Sequence, residues 1–236
     1  MVSFTDTSEA RRWTDRILRE VLIHGGGHYG FRLCHGAALG FGDGGLLITG
    51  ESGAGKTDLA LKLARALAAP VVTVDRGTIG YRHGRLCVGT LPFGMNIHRA
   101  TLADLGCTVS DLARRYPPIA GKHYLAPEDT ERWCGISRVP WTPITAIVTV
   151  VRSTTRTRWH PLSPDEISDA TAAADTSATD PGYRTDWLGL APHTPPSPPA
   201  FGGLRAGWFL HYRPDHSLPQ DWLADLKRGI LPAASP

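Results

Sequence analysis

The segment at residues 50–57, Gly-Glu-Ser-Gly-Ala-Gly-Lys-Thr, constrains the fold of this chain more than any other feature of the sequence. It fits the pattern G-x-x-x-x-G-K-[ST] of a phosphate-binding loop, or Walker A motif. The apolar run at residues 45–49 predicts a strand before it, and the leucine- and alanine-rich run at residues 57–69 predicts a helix after it. Because the motif requires a strand, a glycine loop and a helix in that order, we expect a nucleoside triphosphate to bind here.

Each residue type in this loop has a chemical role. Glycines let the backbone pass close to phosphates, so that its N–H groups and the following helix N-terminus face the anion. Lys56 is expected to reach the β- and γ-phosphates, and the Thr57 hydroxyl is expected to bind Mg²⁺. The predicted nucleotide-binding residues are the eight of the motif: Gly50, Glu51, Ser52, Gly53, Ala54, Gly55, Lys56 and Thr57.

A carboxylate follows the next predicted strand. Residues 71–74 are mostly β-branched and apolar, and Asp75 comes at their end. In open α/β sheets ligands collect at the carboxyl ends of strands. Asp75 is therefore a candidate Mg²⁺ ligand, and a candidate base for a hydroxyl that attacks the γ-phosphate. The neighbouring Arg76 either binds phosphate or substrate, or pairs with Asp75, and the sequence leaves both roles open.

Composition and charge argue against several classes of partner. The hydrophobic fraction of 42% and the charged fraction of 20% are ordinary for a soluble globular protein. A formal net charge of +3, with no aromatic stripe among basic residues, does not indicate a nucleic-acid partner. No apolar run is long enough to span a bilayer, and the polar N-terminus carries no secretory signal. We therefore expect a cytoplasmic protein without a membrane partner, and its Trp, Arg, Ala and Pro usage suggests a bacterial source.

The chain is expected to form one α/β domain over residues 1–236. Residues 1–32 predict an N-terminal helix and a loop, and the Pro-, Gly- and Ser-rich residues 175–203 predict a long loop. The apolar run at residues 145–151 predicts a strand that is buried on both faces. That strand ends in Arg152 and not in aspartate, which weighs against an ATP-driven motor or transporter.

Residues 33–89 resemble the catalytic domain of the HPr kinase/phosphorylase family. The resemblance rests on the pair His35-Gly36, on the loop and its flanks at residues 45–57, on residues 59–61 and on Asp75-Arg76. It implies a P-loop-containing mixed sheet flanked by helices, related to that of phosphoenolpyruvate carboxykinase. It also implies ATP as the phosphoryl donor, Mg²⁺ as the cofactor and a serine hydroxyl as the acceptor.

The resemblance also implies roles for single residues. Lys56 and Thr57 match the residues that bind phosphate and Mg²⁺ in the family. Asp75 matches the second aspartate of the family's aspartate pair, and His35 matches an active-site histidine.

The chain departs from the family pattern in three places. Val74 stands where the first aspartate of the pair belongs. The family's later glutamate-containing stretch has no clear counterpart at residues 92–98, where Asn96 is the best candidate for a replacement Mg²⁺ ligand. The family's separate N-terminal domain is expected to be absent, since 49 residues precede the loop.

These observations favour an ATP-dependent phosphotransferase that acts on a hydroxyl of a peptide serine or a small metabolite. The predicted catalytic residues are Asp75, His35 and Lys56, with Arg76 binding substrate and with Thr57 and Asp75 binding the metal.

Two alternatives stay open. One is a metabolite or antibiotic kinase of the nucleotide-kinase type, which also places an aspartate after its second strand. The other is a nucleotide-binding regulatory protein that has lost turnover, which the valine at position 74 favours. Assembly into a homo-oligomer is likewise open, since relatives of the resembled fold assemble through this domain.

Overall fold

The computed structural model describes residues 7–91, 94–115, 117–118, 121–126, 129–176, 186, 188–190 and 204–230. The helices in these ranges are α1 (Thr7–Gly26), α2 (Lys56–Leu67), α3 (Arg99–Asp104), α4 (Val109–Arg115), α5 (Asp129–Cys134), α6 (Pro164–Ala174) and α7 (Gln220–Ile230), with a 3-10 helix at Gly27–Tyr29. The strands are β1 (Arg32–His35), β2 (Ala37–Phe41), β3 (Gly44–Thr49), β4 (Val71–Thr73), β5 (Arg76–Arg82), β6 (Arg85–Thr90), β7 (Met95–His98), β8 (Lys122–Leu125), β9 (Trp141–Pro143), β10 (Ala146–Arg152), β11 (Arg158–Pro161) and β12 (Ala206–Tyr212).

A six-stranded mixed sheet forms the centre of the fold, in the order β11-β12-β10-β3-β2-β4. Strands β3, β10 and β12 are parallel to one another, whereas β2 is antiparallel to both of its neighbours and β11 is antiparallel to β12. The apolar run predicted as a doubly covered strand is β10, which lies inside this sheet. Its residues Ala146, Ile147, Val148 and Val150 are buried, so that prediction is confirmed.

The two faces of the central sheet pack on different partners, because successive strand residues point to opposite faces. Leu46 and Ile48 of β3 belong to the main apolar cluster, which includes side chains of α2 and α7. Leu47, between them, belongs to a second cluster that includes side chains of α6 and of β5 and β6. The predicted α/β class with a mixed sheet flanked by helices is confirmed.

A second, antiparallel sheet has the order β1-β5-β6-β9. The chain crosses from this sheet to the central one at Gly36, between β1 and β2, and crosses back at residues 74–75, between β4 and β5. A Cβ atom at Gly36 would lie 2.8 Å from the carbonyl oxygen of Ile48, so the first crossover requires a residue without a side chain. Since β1 pairs with β5 and β2 pairs with β4, the two crossovers lie side by side.

A two-stranded antiparallel ribbon, β7–β8, completes the described part of the fold. Met95, Ile97 and Leu125 on one of its faces are buried in the main apolar cluster. The alternate positions, Asn96 and Lys122 among them, belong to the opposite, polar face.

At the N-terminus, α1 extends to Gly26 and is followed by the 3-10 helix, so that β1 begins at Arg32. Near the end of α1, His24 Nε2 lies 3.0 Å from Glu20 Oε2, one turn earlier. Most of the long loop predicted at residues 175–203 lies outside the described residues. Within the described ranges, no helix combines the length and the apolar character needed to cross a membrane.

Candidate active site at one edge of the central sheet

The carboxyl ends of the parallel strands open onto one large cavity of about 1310 Å³. The register places them at the same edge, because Ile48 of β3 is opposite Val148 of β10, which is opposite Trp208 of β12. The start of β2 and the end of β4 reach the same edge, since β2 runs antiparallel to both β3 and β4. In open α/β sheets this edge is where ligands bind.

Residues 50–55 connect β3 to α2 at this edge, so the predicted order of strand, glycine loop and helix is confirmed. Gly50, Gly53 and Gly55 have φ angles of 139°, 82° and 97°, which residues with a Cβ rarely adopt. A Cβ atom at Gly50 would also lie 2.2 Å from the carbonyl oxygen of Val150. The backbone path and its packing on β10 therefore require glycine at these positions.

Five of the eight motif residues line the cavity: Ser52, Gly53, Gly55, Lys56 and Thr57. The other three do not belong to the lining. Ala54 is buried in the main apolar cluster, Gly50 packs on Val150, and the Glu51 carbonyl faces Lys56.

Lys56 begins α2, and its side chain folds back over the loop. The Nζ atom donates hydrogen bonds to the carbonyl oxygens of Gly50 (2.7 Å) and Glu51 (2.9 Å). Burial lowers the pKa of Lys56, an effect that the negative charge of Asp75 opposes and the positive charge of Arg76 reinforces. Lys56 is therefore a partly desolvated cation, and an anion in the cavity would stabilise its charge.

Thr57 links the start of α2 to the second crossover. Its Oγ1 donates a hydrogen bond of 2.9 Å to the carbonyl oxygen of Val74, the residue before Asp75. Because the hydroxyl hydrogen is used in this bond, the oxygen keeps lone pairs that can accept a hydrogen or bind a cation. Thr57 and Asp75 thus stand at the same place on the cavity wall.

His35 and Asp75 meet because the two crossovers are adjacent. His35 pairs with Arg76 in the β1–β5 register, and its Nε2 lies 3.5 Å from Asp75 Oδ1. Arg76 Nη1 lies 3.2 Å from the other carboxylate oxygen, Oδ2. The side chain of Asp75 is 42% exposed and faces the cavity, so it is available to a ligand.

Arg76 does not line the large cavity. It lines a neighbouring cavity of about 30 Å³, together with Asp75, Asn96 and Arg138. Of its two possible roles, pairing with Asp75 is the one that the geometry shows. A volume of this size suits a single water molecule.

Val74, which stands where the resemblance predicted an aspartate, is part of the packed core. Its side chain is 2% exposed and belongs to the main apolar cluster. A carboxylate there would enter apolar surroundings, which is costly unless it is paired. Asn96, the proposed replacement ligand, lines both cavities beside Asp75.

Several charged residues of the cavity carry no motif in the sequence. Arg152 ends β10, and Arg213 follows β12. The ion pair of Arg213 with Asp215 (2.8 Å) holds the pKa of the Asp215 carboxyl at about 2.

Lys62 on α2 also lines the cavity, and its Nζ lies 3.1 Å from a carboxylate oxygen of Asp58 and 3.1 Å from one of Asp104. Burial alone would lower the pKa of Lys62, but hydrogen bonds with these carboxylates outweigh it and raise that pKa. Arg152 and Arg213 share this site because their strands are neighbours in the sheet, whereas Lys62 and Asp104 share it because α2 and α3 line the same cavity.

Within the described ranges, no three His, Cys, Asp or Glu side chains cluster as a self-contained metal site. Thr57 and Asp75 nevertheless offer two oxygen donors to the cavity, and oxygen donors suit Mg²⁺. Mg²⁺ sites that use one or two protein ligands take their other ligands from water and substrate phosphates. The residues present therefore fit a magnesium ion that binds together with a nucleotide.

No family model matches the chain, and no curated protein matches it. Among solved structures, the chain is similar to the HPr(Ser) kinase/phosphatase from Coxiella burnetii, with 19% sequence identity and a TM-score of 0.35. The alignment covers 56% of this chain and 71% of that chain. We therefore argue the function from the geometry of the site.

Proposed function

We propose that this protein is a phosphotransferase that transfers the γ-phosphoryl group of ATP to a hydroxyl of a peptide serine or a small metabolite. The observation that supports this best is the convergence of two groups on one cavity. A glycine loop with a buried lysine lines it, and so does a carboxylate with a histidine beside it. A phosphoryl transfer needs a place for the triphosphate and a group that orients the attacking hydroxyl, and this cavity offers both.

The triphosphate would occupy the loop at residues 50–57. In the present structure, Lys56 Nζ is satisfied by two backbone carbonyls of the same loop. Exchanging these neutral oxygens for anionic phosphate oxygens adds a direct attraction between opposite charges, which is stronger in a partly desolvated site than in water. The loop therefore binds phosphate with a preformed backbone and one rearranged side chain.

Thr57 and Asp75 would hold Mg²⁺, with Asn96 as a further oxygen donor nearby. When it is bound, this ion neutralises charge on the β- and γ-phosphates. Thr57 keeps its hydrogen bond to Val74 in this role, since only an oxygen lone pair is needed.

Asp75 would act as the base. As the acceptor oxygen forms its bond to the γ-phosphorus, the bond from that phosphorus to the bridging oxygen of ADP breaks, and the hydroxyl proton passes to the Asp75 carboxylate. His35 contacts Oδ1 of this carboxylate and Arg76 contacts Oδ2. Both are positioning residues, which fix the orientation of Asp75 towards the cavity.

A nucleotide-binding regulatory protein without turnover is the second candidate. The buried side chain of Val74 favours it, because the site then has one acidic residue at this crossover and not two. A metabolite kinase of the nucleotide-kinase type differs from the first proposal in the role of Asp75, which would bind the substrate and not accept its proton.

The test compares Asp75→Asn and Lys56→Ala with the unchanged protein. ATP binding is measured by calorimetry with Mg²⁺, and transfer is followed with radiolabelled ATP on serine peptides and hydroxylated metabolites. Because asparagine keeps one oxygen that can bind Mg²⁺ but cannot accept the proton, we expect Asp75→Asn to lower transfer at least about 100-fold and to weaken ATP binding by much less. Lys56→Ala should weaken ATP binding at least about tenfold.

The matched control is Asp43→Asn, an exposed aspartate in the turn before β3 and outside the cavity, which should change neither quantity. Full transfer by Asp75→Asn would remove Asp75 from the mechanism. Tight, Lys56-dependent ATP binding with no transfer to any acceptor would favour the regulatory candidate.

A further inference from the structure

The charges on the cavity wall are not balanced within the described part of the chain. Six lysine and arginine side chains line the cavity. Three of them have partners. Lys56 donates hydrogen bonds to carbonyl oxygens of the loop, Lys62 pairs with Asp58 and Asp104, and Arg213 pairs with Asp215. The remaining three make no ion pair or side-chain hydrogen bond with any described residue: Arg99, Lys122 and Arg152.

The three cations without a partner among the described residues lie on two different parts of the wall. Arg152 ends β10, which pairs with β3, so it stands on the side of the glycine loop. Lys122 lies opposite His98 in the β7–β8 ribbon, and Arg99 follows His98 directly. Lys122 of β8 and Arg99, the first residue of α3, therefore line the cavity at the same end of the ribbon.

The polar face of the ribbon adjoins Asp75. Asn96 and His98 alternate with the buried residues Met95 and Ile97, so they share one face with Lys122. Asn96 and Asp75 line both the large and the small cavity, which places this face beside the carboxylate. On its other side, Asp75 adjoins Thr57 through the bond to Val74. Asp75 thus stands between the glycine loop and the ribbon.

The cavity is also larger than one small ligand requires. Sites for single drug-sized ligands occupy about 300–1,000 Å³, and this cavity has about 1310 Å³. A nucleotide at the loop therefore leaves room along the ribbon for a second molecule, whose hydroxyl would lie at Asp75.

We propose that the ribbon face formed by Asn96, His98 and Lys122, together with Arg99, binds an anionic group of the acceptor. The acceptor is then a hydroxyl compound that carries a carboxylate or a phosphate. A guanidinium recognises either group through paired N–H donors, and a lysine ammonium adds a point charge. Binding such a group also balances the positive charges of Arg99 and Lys122, for which no described residue supplies a partner. The identification of this second molecule as the phosphoryl acceptor rests on the proposed function. The existence of the anion site does not.

The first test detects the anion site without any transfer reaction. Inorganic phosphate and acetate are titrated separately into protein saturated with a non-hydrolysable ATP analogue and Mg²⁺, and backbone amide NMR signals are followed. We expect signals of residues 96–99 and 121–122 to shift, with dissociation constants at least about fivefold higher in Arg99→Gln and Lys122→Gln. Arg158→Gln is the matched control, since Arg158 is exposed on β11, is unpaired among the described residues and lies outside the cavity.

Each result has a distinct meaning. Shifts with phosphate alone assign a phosphorylated acceptor, and shifts with acetate alone assign a carboxylate-bearing one. Shifts with both support the anion site for either group. The proposal is overturned if neither anion shifts these signals, or if the two variants bind as the unchanged protein does. Failure of the ATP analogue to bind would instead contradict the proposed function. Anion binding at the ribbon would still be measured in that case, from the amide signals of residues 96–99 and 121–122.

A second test uses transfer. Hydroxy acids and phosphorylated alcohols are compared with hydroxy amides and neutral sugars as acceptors. We expect transfer to anionic acceptors, with KM raised in Arg99→Gln and Lys122→Gln and kcat little changed, because these residues bind and do not react. Transfer to neutral acceptors alone would contradict the proposal.

Discussion

At the scale of single residues, Val74 joins two parts of the site although its side chain belongs to the core. Its carbonyl oxygen accepts the hydrogen bond of Thr57, and the next residue is Asp75. The side chain is buried among apolar neighbours. The backbone of Val74 therefore positions Thr57, while its side chain packs in the core. An aspartate at this position would place its carboxylate where the valine side chain is buried.

The substitution Val74→Asp tests this division of roles. Val74 is buried in the apolar cluster and also borders the small cavity that Arg76 and Arg138 line, so a carboxylate there would lose most of its hydration. We expect the free energy of unfolding to fall by roughly 1–3 kcal/mol. Urea denaturation followed by circular dichroism measures this change. A variant that is as stable as the original and binds Mg²⁺ and ATP more tightly would show that a carboxylate at position 74 reaches the large cavity.

At the scale of elements, the meeting of His35 and Asp75 depends on strand pairing and not on any local signal. The two residues are far apart in sequence, and the pairing of β1 with β5 and of β2 with β4 brings the two crossovers together. Gly36 permits the close approach of its crossover to β3. The site is therefore sensitive to small shifts between the two sheets.

The substitution Gly36→Ala tests this dependence. The new Cβ would lie 2.8 Å from the Ile48 carbonyl oxygen, so the backbone has to move, and overpacking of this kind costs about 1–3 kcal/mol. We expect lower stability and reduced transfer with ATP affinity largely retained, since the shift moves His35 from Asp75. The control is Gly25→Ala in α1, where a Cβ meets no atom within 4 Å and helix propensity predicts a small gain in stability. Unchanged transfer in Gly36→Ala would show that the crossover geometry is not critical.

The contact between the end of β12 and α2 predicts a pH effect. Tyr212 is fully buried, and its hydroxyl donates a hydrogen bond to Asp58. Burial and the nearby negative charge of Asp58 raise the pKa of Tyr212 above its usual value near 10. The unfolded chain then releases this proton at a lower pH than the folded protein does. The stabilisation is complete below pH 10 and is lost as the pH rises above it.

The substitution Tyr212→Phe isolates this contribution. We expect the free energy of unfolding at neutral pH to fall by about 1–2 kcal/mol, because Asp58 loses a hydrogen bond. Between pH 9 and 11 the original protein should lose stability more steeply than the variant. Parallel pH profiles from chemical denaturation would contradict the raised pKa of Tyr212.

At the scale of the whole molecule, local patterns predicted the parts of the site but not their arrangement. The strand, glycine loop and helix at residues 45–69 were predictable because glycines, alternating strand residues and helix formers act over a few positions. The charged wall was not, because Arg99, Lys122 and Arg213 come from elements whose neighbours are set by sheet order and ribbon pairing. The burial of Val74 was not predictable either. The sequence shows a valine where an aspartate was expected, but it does not show that this side chain points into the core.

The central claim is that one cavity holds a triphosphate at residues 50–57 with Asp75 beside its terminal phosphate. A crystal structure of the protein with a non-hydrolysable ATP analogue and Mg²⁺ tests it most directly. We predict that Lys56 Nζ leaves the carbonyl oxygens of Gly50 and Glu51 for phosphate oxygens, that Thr57 contacts the metal, and that Asp75 faces the γ-phosphate across a space open to the ribbon. A triphosphate bound elsewhere, or an Asp75 that turns away from it, would contradict the claim.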